Sequence, residues 1–128
     1  MLRTRSVHSP IDRRNDGLRI LATRVRGRGM RKTRYDVWMA NLGPSERLKN
    51  SGIADTSWQE FKRQYEREIY GIGTAAQGNK TIRNHGQKFT LRLIKRLAQK
   101  QTGTLMCHCE EAQKNCHRFL LKDLIKRA

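Results

Sequence analysis

The apolar positions of this chain fall into short runs with two different periods. Residues 18–25, "LRILATRV", alternate Leu18, Ile20, Ala22 and Arg24 with Arg19, Leu21, Thr23 and Val25. Apolar groups on both sides of the alternation predict a strand covered on each face. "YDVWMANL" is a second apolar run, short enough for a strand or a helical turn, and "GPSERLKN" places Pro44 and Ser45 ahead of a short predicted helix. The period then changes. In "TSWQEFKRQYEREI", Trp58, Phe61, Tyr65 and Ile69 recur at helical spacing, with Thr56 or Ser57 as cap and Glu60 completing a capping box. "QKFTLRLIKRLAQKQTG" predicts a second amphipathic helix with Phe89, Leu93, Ile94 and Leu97 inward and its end at Gly103. "TLMCHC" reads as a short strand. A last helix from about Asn115 should bury Leu120, Leu121, Leu124 and Ile125.

Strand, basic glycine loop, helices, strand, loop, helix is the order of a small α/β fold. The expectation is three layers, with a parallel or mixed sheet flanked by helices. Residues 11–128 are taken as a single α/β domain, and the polar stretch 1–10, "MLRTRSVHSP", as a flexible basic segment ahead of it. Residues 71–86 are glycine-rich with few large apolar groups, and predict a loop.

Composition sharpens the surface more than the core. With 28 Lys and Arg against 11 acids, the net charge is +17, which internal ion pairing cannot match. The surface must carry a strong positive potential. Phosphate is the natural counterpart, because each basic contact releases counterions, so nucleic acid or another phosphate-bearing ligand is the expected partner. Solubility alone is the plainer account of the same charge. No apolar run approaches the ~20 residues of a membrane helix, so no membrane partner is expected. The N-terminus lacks the hydrophobic core of a secretory signal. Three cysteines are an odd number, unsuited to a disulfide framework, which points to a reducing, cytoplasmic setting.

Two loops carry candidate chemistry. In an open α/β sheet, ligands bind beyond the carboxyl ends of the strands. "RGRG" follows the first strand, and "CHCEEAQKNCHR" follows the last. If those strands are parallel neighbours, both loops face one pocket. Gly27 and Gly29 would let backbone amides approach an anion, and Arg24, Arg28 and Arg118 would add charge-assisted bonds to it. Cys107 and Cys109 share one face of the strand, while Cys116, His117 and Arg118 open a helix, whose first amides favour a thiolate. Cys116, His117 and Cys107 are therefore the candidate catalytic residues, as a thiol nucleophile or an acid–base histidine. A buried, inert Cys116 beside a satisfied core histidine is the plainer alternative. The C-x-C…C-H spacing departs from the paired C-x2–4-C of zinc knuckles. No metal and no cofactor is assigned on this reading, with a zinc or iron–sulfur site and a redox pair kept as rivals.

These same residues carry a likeness. "DGLRILATR" with "RGRG", then Trp38, Leu42, Pro44, Ser45 and Leu48, then Trp58, Phe61, Tyr65 and Glu68, then Cys107 and the Cys116-His117-Arg118 turn come in a fixed order. Over about residues 11 to 127 the chain resembles a bacterial and archaeal family, domain of unknown function 488 (DUF488), which includes the YeaO-like proteins. The resemblance implies an α/β fold and a shared constellation of Arg24, Arg28, Cys107 and the Cys-His-Arg turn. It implies no particular reaction. Thr23 stands where that family usually has Asp, Arg26-Gly27 replaces its Trp-Pro, and Cys109 stands near a position often held by an acid. The aromatic stripe of Trp58, Phe61 and Tyr65 reads as core rather than as a base-stacking platform.

The expected function is an anion-binding pocket for a nucleotide or nucleic acid, lined by the Arg-Gly loop and the Cys-His-Arg helix start, with thiol- or histidine-dependent catalysis. Whether the protein is an enzyme is left open. The rivals are a non-catalytic nucleic-acid-binding protein and a metal-binding or redox-sensing protein built on the cysteines.

Overall fold

The computed structural model describes residues 1–49, 57–71 and 87–128. Its strands are β1 (Leu2–Ser6), β2 (Leu18–Leu21), β3 (Val37–Trp38) and β4 (Gly103–Cys107), and its long helices are α1 (Trp58–Ile69), α2 (Lys88–Lys100) and α3 (His117–Arg127). The strands form one sheet in the order β1-β4-β2-β3, every neighbour pair parallel. This is an α/β fold. The chain steps outward through β2 and β3, crosses back through the helices, and inserts β4 between β1 and β2.

Register decides what each face buries. Ile20 lies opposite Leu105, and Leu21 opposite Met106. Ile20, Ala22 and Leu105 join Phe61, Tyr65, Leu91, Ile94 and Leu121 in one core cluster, so all three long helices pack on that face. Leu21 and Met106 point the other way, onto Val7, Met30 and Tyr35. Their cover is the loop containing the short 3₁₀ turn Lys32–Arg34. Both faces of β2 are closed, as its run of apolar residues predicts.

The first residues are not the flexible segment their polarity suggested. Leu2–Ser6 pair along their whole length with β4, and Val7 donates its amide to the Cys107 carbonyl at 2.8 Å. An edge strand of a parallel sheet needs backbone partners more than apolar side chains, and Arg3 and Arg5 each lie 3.6 Å from the buried Asp16 carboxylate. The sheet therefore begins at residue 2.

Helix α2 corrects a second expectation. Leu91 and Ile94 are its buried residues, whereas Phe89, Leu93 and Leu97 are exposed. The segment carries two apolar stripes, and helical spacing alone cannot say which of them meets the sheet. The helix also stops at Lys100, and Gly103 opens β4 instead of closing α2. In α1 the expected stripe is kept: Phe61, Tyr65 and Ile69 are buried, with Trp58 stacked on Phe61 at 5.6 Å. Ser57 caps it by accepting the Glu60 amide at 3.2 Å, while the Glu60 carboxylate turns to Arg63 and Gln64. The alternative cap Thr56, and residues 72–86 of the glycine-rich loop, lie outside the described residues.

Two residues of α1 reach out of the helix to hold the turn that follows β3. The Tyr65 hydroxyl donates to the Leu42 carbonyl at 2.7 Å. The Glu68 carboxylate accepts the Ser45 amide at 2.8 Å and the Ser45 hydroxyl. Ser45 in turn caps the helical turn beginning at Glu46, its hydroxyl accepting from the Leu48 amide at 3.2 Å. Gly43 presses against the opposite wall: a Cβ there would lie 2.3 Å from the Arg24 amide nitrogen. Glu68→Ala should lower stability by about 1.5–3 kcal/mol, the cost of unmaking hydrogen bonds to a charged acceptor. Urea unfolding should show a lower midpoint at unchanged slope, and an unchanged midpoint would remove Glu68 from this role.

Candidate functional site

The β2–β4 pairing sets the carboxyl ends of those strands side by side, and both chemical loops leave from there. They touch. The His108 ring donates from Nε2 to the Val25 carbonyl at 3.1 Å, because a carbonyl can only accept. The same ring lies over Gly27, where a Cβ would come within 2.8 Å of it, and Gly27 holds φ +98°. A side chain at 27 would be strained by the backbone and blocked by the imidazole at once.

A cavity of about 180 Å³ opens between the loops. Arg24, Cys107, Cys116 and His117 of the expected residues line it, joined by Thr23, Pro44, Lys49, Phe61, His108, Cys109 and Asn115. Arg28 does not; it is exposed. Gly29 stands in open space at φ +75°, serving the turn, and neither it nor Gly27 lines the cavity. Arg118 is also absent from the lining. It is completely buried behind the sulfurs, donating to Cys107 Sγ at 3.2 Å and to the carbonyls of Glu111 and Glu110 at 3.0 and 3.4 Å. Arg24 is fixed on the wall by the turn that α1 holds, its Nη2 donating to the Gly43 carbonyl at 3.1 Å and its Nε to that of Pro44 at 3.5 Å.

The three sulfurs form the floor. Cys107 ends β4, Cys116 is the residue before the first turn of α3, and Cys109 sits on the intervening loop, half-buried. Cys107 Sγ and Cys116 Sγ are 3.0 Å apart, and all three sulfurs lie within 4.8 Å of one another. The spacing argument against a metal site therefore fails in three dimensions, because the 109–116 loop folds back and delivers Cys109 beside the other two. As a group the three could hold a metal ion.

Their protonation is unequal. Cys109 is held well below the usual thiol range, first by the Cys107 thiol and then by the Cys116 thiol directed at its sulfur, with the fields of His117 and Arg118 adding to them. Cys107 is pushed up to about 11, chiefly because it is the donor to Cys109, and the nearby Arg118 only partly opposes this. Cys116 is raised strongly for the same reason, through Cys107 and Cys109, and by burial. The thiol lowered in this group is Cys109, whereas the helix start alone suggested Cys116. Burial pushes the His117 imidazole below its usual value, opposed by its bond to the Ala22 carbonyl and by Cys109. Its Nε2 donates to the Ala22 carbonyl at 2.6 Å, which leaves Nδ1 to accept from the Cys116 thiol at 4.0 Å.

The family model described as "Active DUF488-N3 subclade" matches residues 2–128. The chain belongs to the DUF488 family. Neither the curated proteins nor the solved structures hold a match to it. The match extends the expected coverage to β1, in keeping with the place of that strand in the sheet. It also covers the residues that spacing did not reveal. Lys49 was hidden in an ordinary polar helix turn, and only the Ser45 cap upstream hinted at how that turn is aimed. Cys109 was visible as a thiol, but its role depends on how the loop after it closes. Within this DUF488 chain Tyr65 and Glu68 act at a distance, by positioning the turn that fixes Arg24.

A thiolate at Cys109 should be alkylated by iodoacetamide at a rate that stays level as the pH falls through about 8.5, the ordinary thiol value. Metal-free protein and peptide mass spectrometry would locate the label. A rate dropping tenfold per pH unit below that value, or first labelling at Cys116, would overturn the assignment.

Proposed function

We propose that the cavity is a binding site for a phosphate-bearing ligand of the nucleotide or nucleic-acid class, with sulfur as its reactive end. The observation that carries this is the meeting of two cationic walls, Arg24 and Lys49, with the three-sulfur floor in one cavity of about 180 Å³. That volume suits a phosphate with its sugar, or a single base, rather than a long stretch of polymer. The net charge of +17 supports the same reading by raising the local concentration of anions around the entrance. The amides that open α3 are an additional attraction for negative charge beside Cys116. A guanidinium fixed by carbonyls loses little freedom on meeting a phosphate, so Arg24 is the residue on which affinity should turn.

On this reading Arg28 contributes to the general field and Arg118 supports the sulfurs; neither grips the ligand. A purely electrostatic binding protein would use the surface charge and leave the cavity idle. The two are separated by substitution. Arg24→Met should weaken binding of a nucleoside monophosphate, measured by calorimetry, by about tenfold to a hundredfold, the worth of one charge-assisted bond. Arg28→Met should change it less than threefold. Equal losses from both, tracking only total charge and salt, would leave the surface and not the cavity as the binding element.

A further inference from the structure

We propose that Cys107, Cys109 and Cys116 are a tris-thiolate site for a divalent cation of the zinc class, with the fourth coordination position open to the cavity. The donor set is all sulfur, which suits zinc-like or softer metals and disfavours magnesium and calcium. Zinc–sulfur bonds of about 2.3 Å place the sulfurs of a tetrahedral site about 3.8 Å apart. The observed sulfurs are gathered on that scale, with one pair at 3.0 Å and all within 4.8 Å. Small rotations of the side chains, not a rearrangement of the backbone, separate this cluster from a ligand shell. Two of the three ligands are set by regular structure, at the end of β4 and the start of α3, and the third rides on the loop that can adjust.

The charge around the cluster fits a bound cation. Binding replaces the thiol protons by one metal ion and releases them to solvent, and three thiolates with a divalent metal carry a net charge of −1. In a buried place that charge needs a partner. Arg118 supplies it: fully buried, donating to Cys107 Sγ at 3.2 Å, and anchored on the Glu110 and Glu111 carbonyls. A guanidinium behind a ligating sulfur is the kind of outer contact that orients ligands and tunes a metal. Among the described residues no fourth Cys, His or carboxylate joins the group. His117 approaches one sulfur, with Nδ1 4.0 Å from Cys116 Sγ, but its ring is tied through Nε2 to the Ala22 carbonyl and it is not among the groups that lie within 4.8 Å of one another. Structural zinc sites close with four protein ligands, whereas three with an exchangeable fourth is the pattern of catalytic ones. The open position faces the cavity that carries Arg24 and Lys49. There, resting on the ligand class proposed above, a phosphate oxygen would displace the metal's water.

The test is metal analysis of the full chain purified in reductant without chelator, and again after reconstitution with zinc. One zinc per chain is expected, with the thiols protected from Ellman's reagent until a chelator is added. Cobalt in its place should show thiolate charge-transfer absorption and the strong visible bands of a tetrahedral site. Cys109→Ser, which changes an accessible loop residue, should lower metal affinity at least tenfold with an unchanged circular dichroism spectrum. Arg118→Lys should lower it by about tenfold to a hundredfold. Adding inorganic phosphate should shift the cobalt bands. Three freely reactive thiols in reconstituted protein, or a mass two hydrogens lighter from a Cys107–Cys116 disulfide formed despite reductant, would overturn the proposal. So would cobalt bands blind to phosphate, which mean a closed shell. Metal content is read without any ligand, so its failure is distinct from a loss of nucleotide binding, which Arg24→Met reports.

Discussion

The parallel pairing of β2 with β4 is the constraint on which the rest depends. Those strands are far apart in the chain, and once Ile20 lies against Leu105 and Leu21 against Met106 their carboxyl ends must emerge together. The arginine loop and the cysteine loop then have no choice but to meet. The contact is tight enough for an imidazole to rest on a glycine, and for His117 to donate to the Ala22 carbonyl just beyond β2. The cavity is the space left between two loops whose roots are hydrogen-bonded side by side. This is the place where open α/β sheets put their ligands, for the same reason.

A second layer of support comes from α1. Its inward stripe belongs to the core, but Tyr65 and Glu68 extend past the core and hold residues 42–45 by their backbone. That turn in turn offers the Gly43 and Pro44 carbonyls to Arg24. A helix that never touches sulfur thus sets the position of the guanidinium facing it. In this chain the Pro-Ser turn and the Tyr-x-x-Glu of the helix are linked directly, Glu68 holding the Ser45 amide and Tyr65 the Leu42 carbonyl.

Arg118 shows how charge can be built into a buried place. It has lost all contact with solvent, which for a guanidinium is costly unless acceptors surround it. Two carbonyls, the Glu111 carboxylate at 3.5 Å and a sulfur provide them for its two terminal nitrogens, while Nε has no partner among the described residues. Glu111 also accepts from the Ser6 amide and the Ser9 hydroxyl, tying the end of β1 to the cysteine loop. The electrostatic support of the sulfurs therefore runs back to the first strand.

Read as letters, the chain determined its fold class, the two inner strands and the long helices in order, its positive field and the two loops worth watching. Those follow from local period, from turn residues and from net charge, which need no partner to be counted. Tertiary structure alone decided the rest. It chose Leu91 and Ile94 over Phe89, Leu93 and Leu97, because either stripe of α2 could have met the sheet. It made Leu2–Ser6 a strand, because edge pairing is a property of the neighbour's backbone. It set Cys109 beside the other two sulfurs, and took Arg118 from the cavity wall to a place behind them. Each of these depends on distances between residues that sequence spacing does not encode.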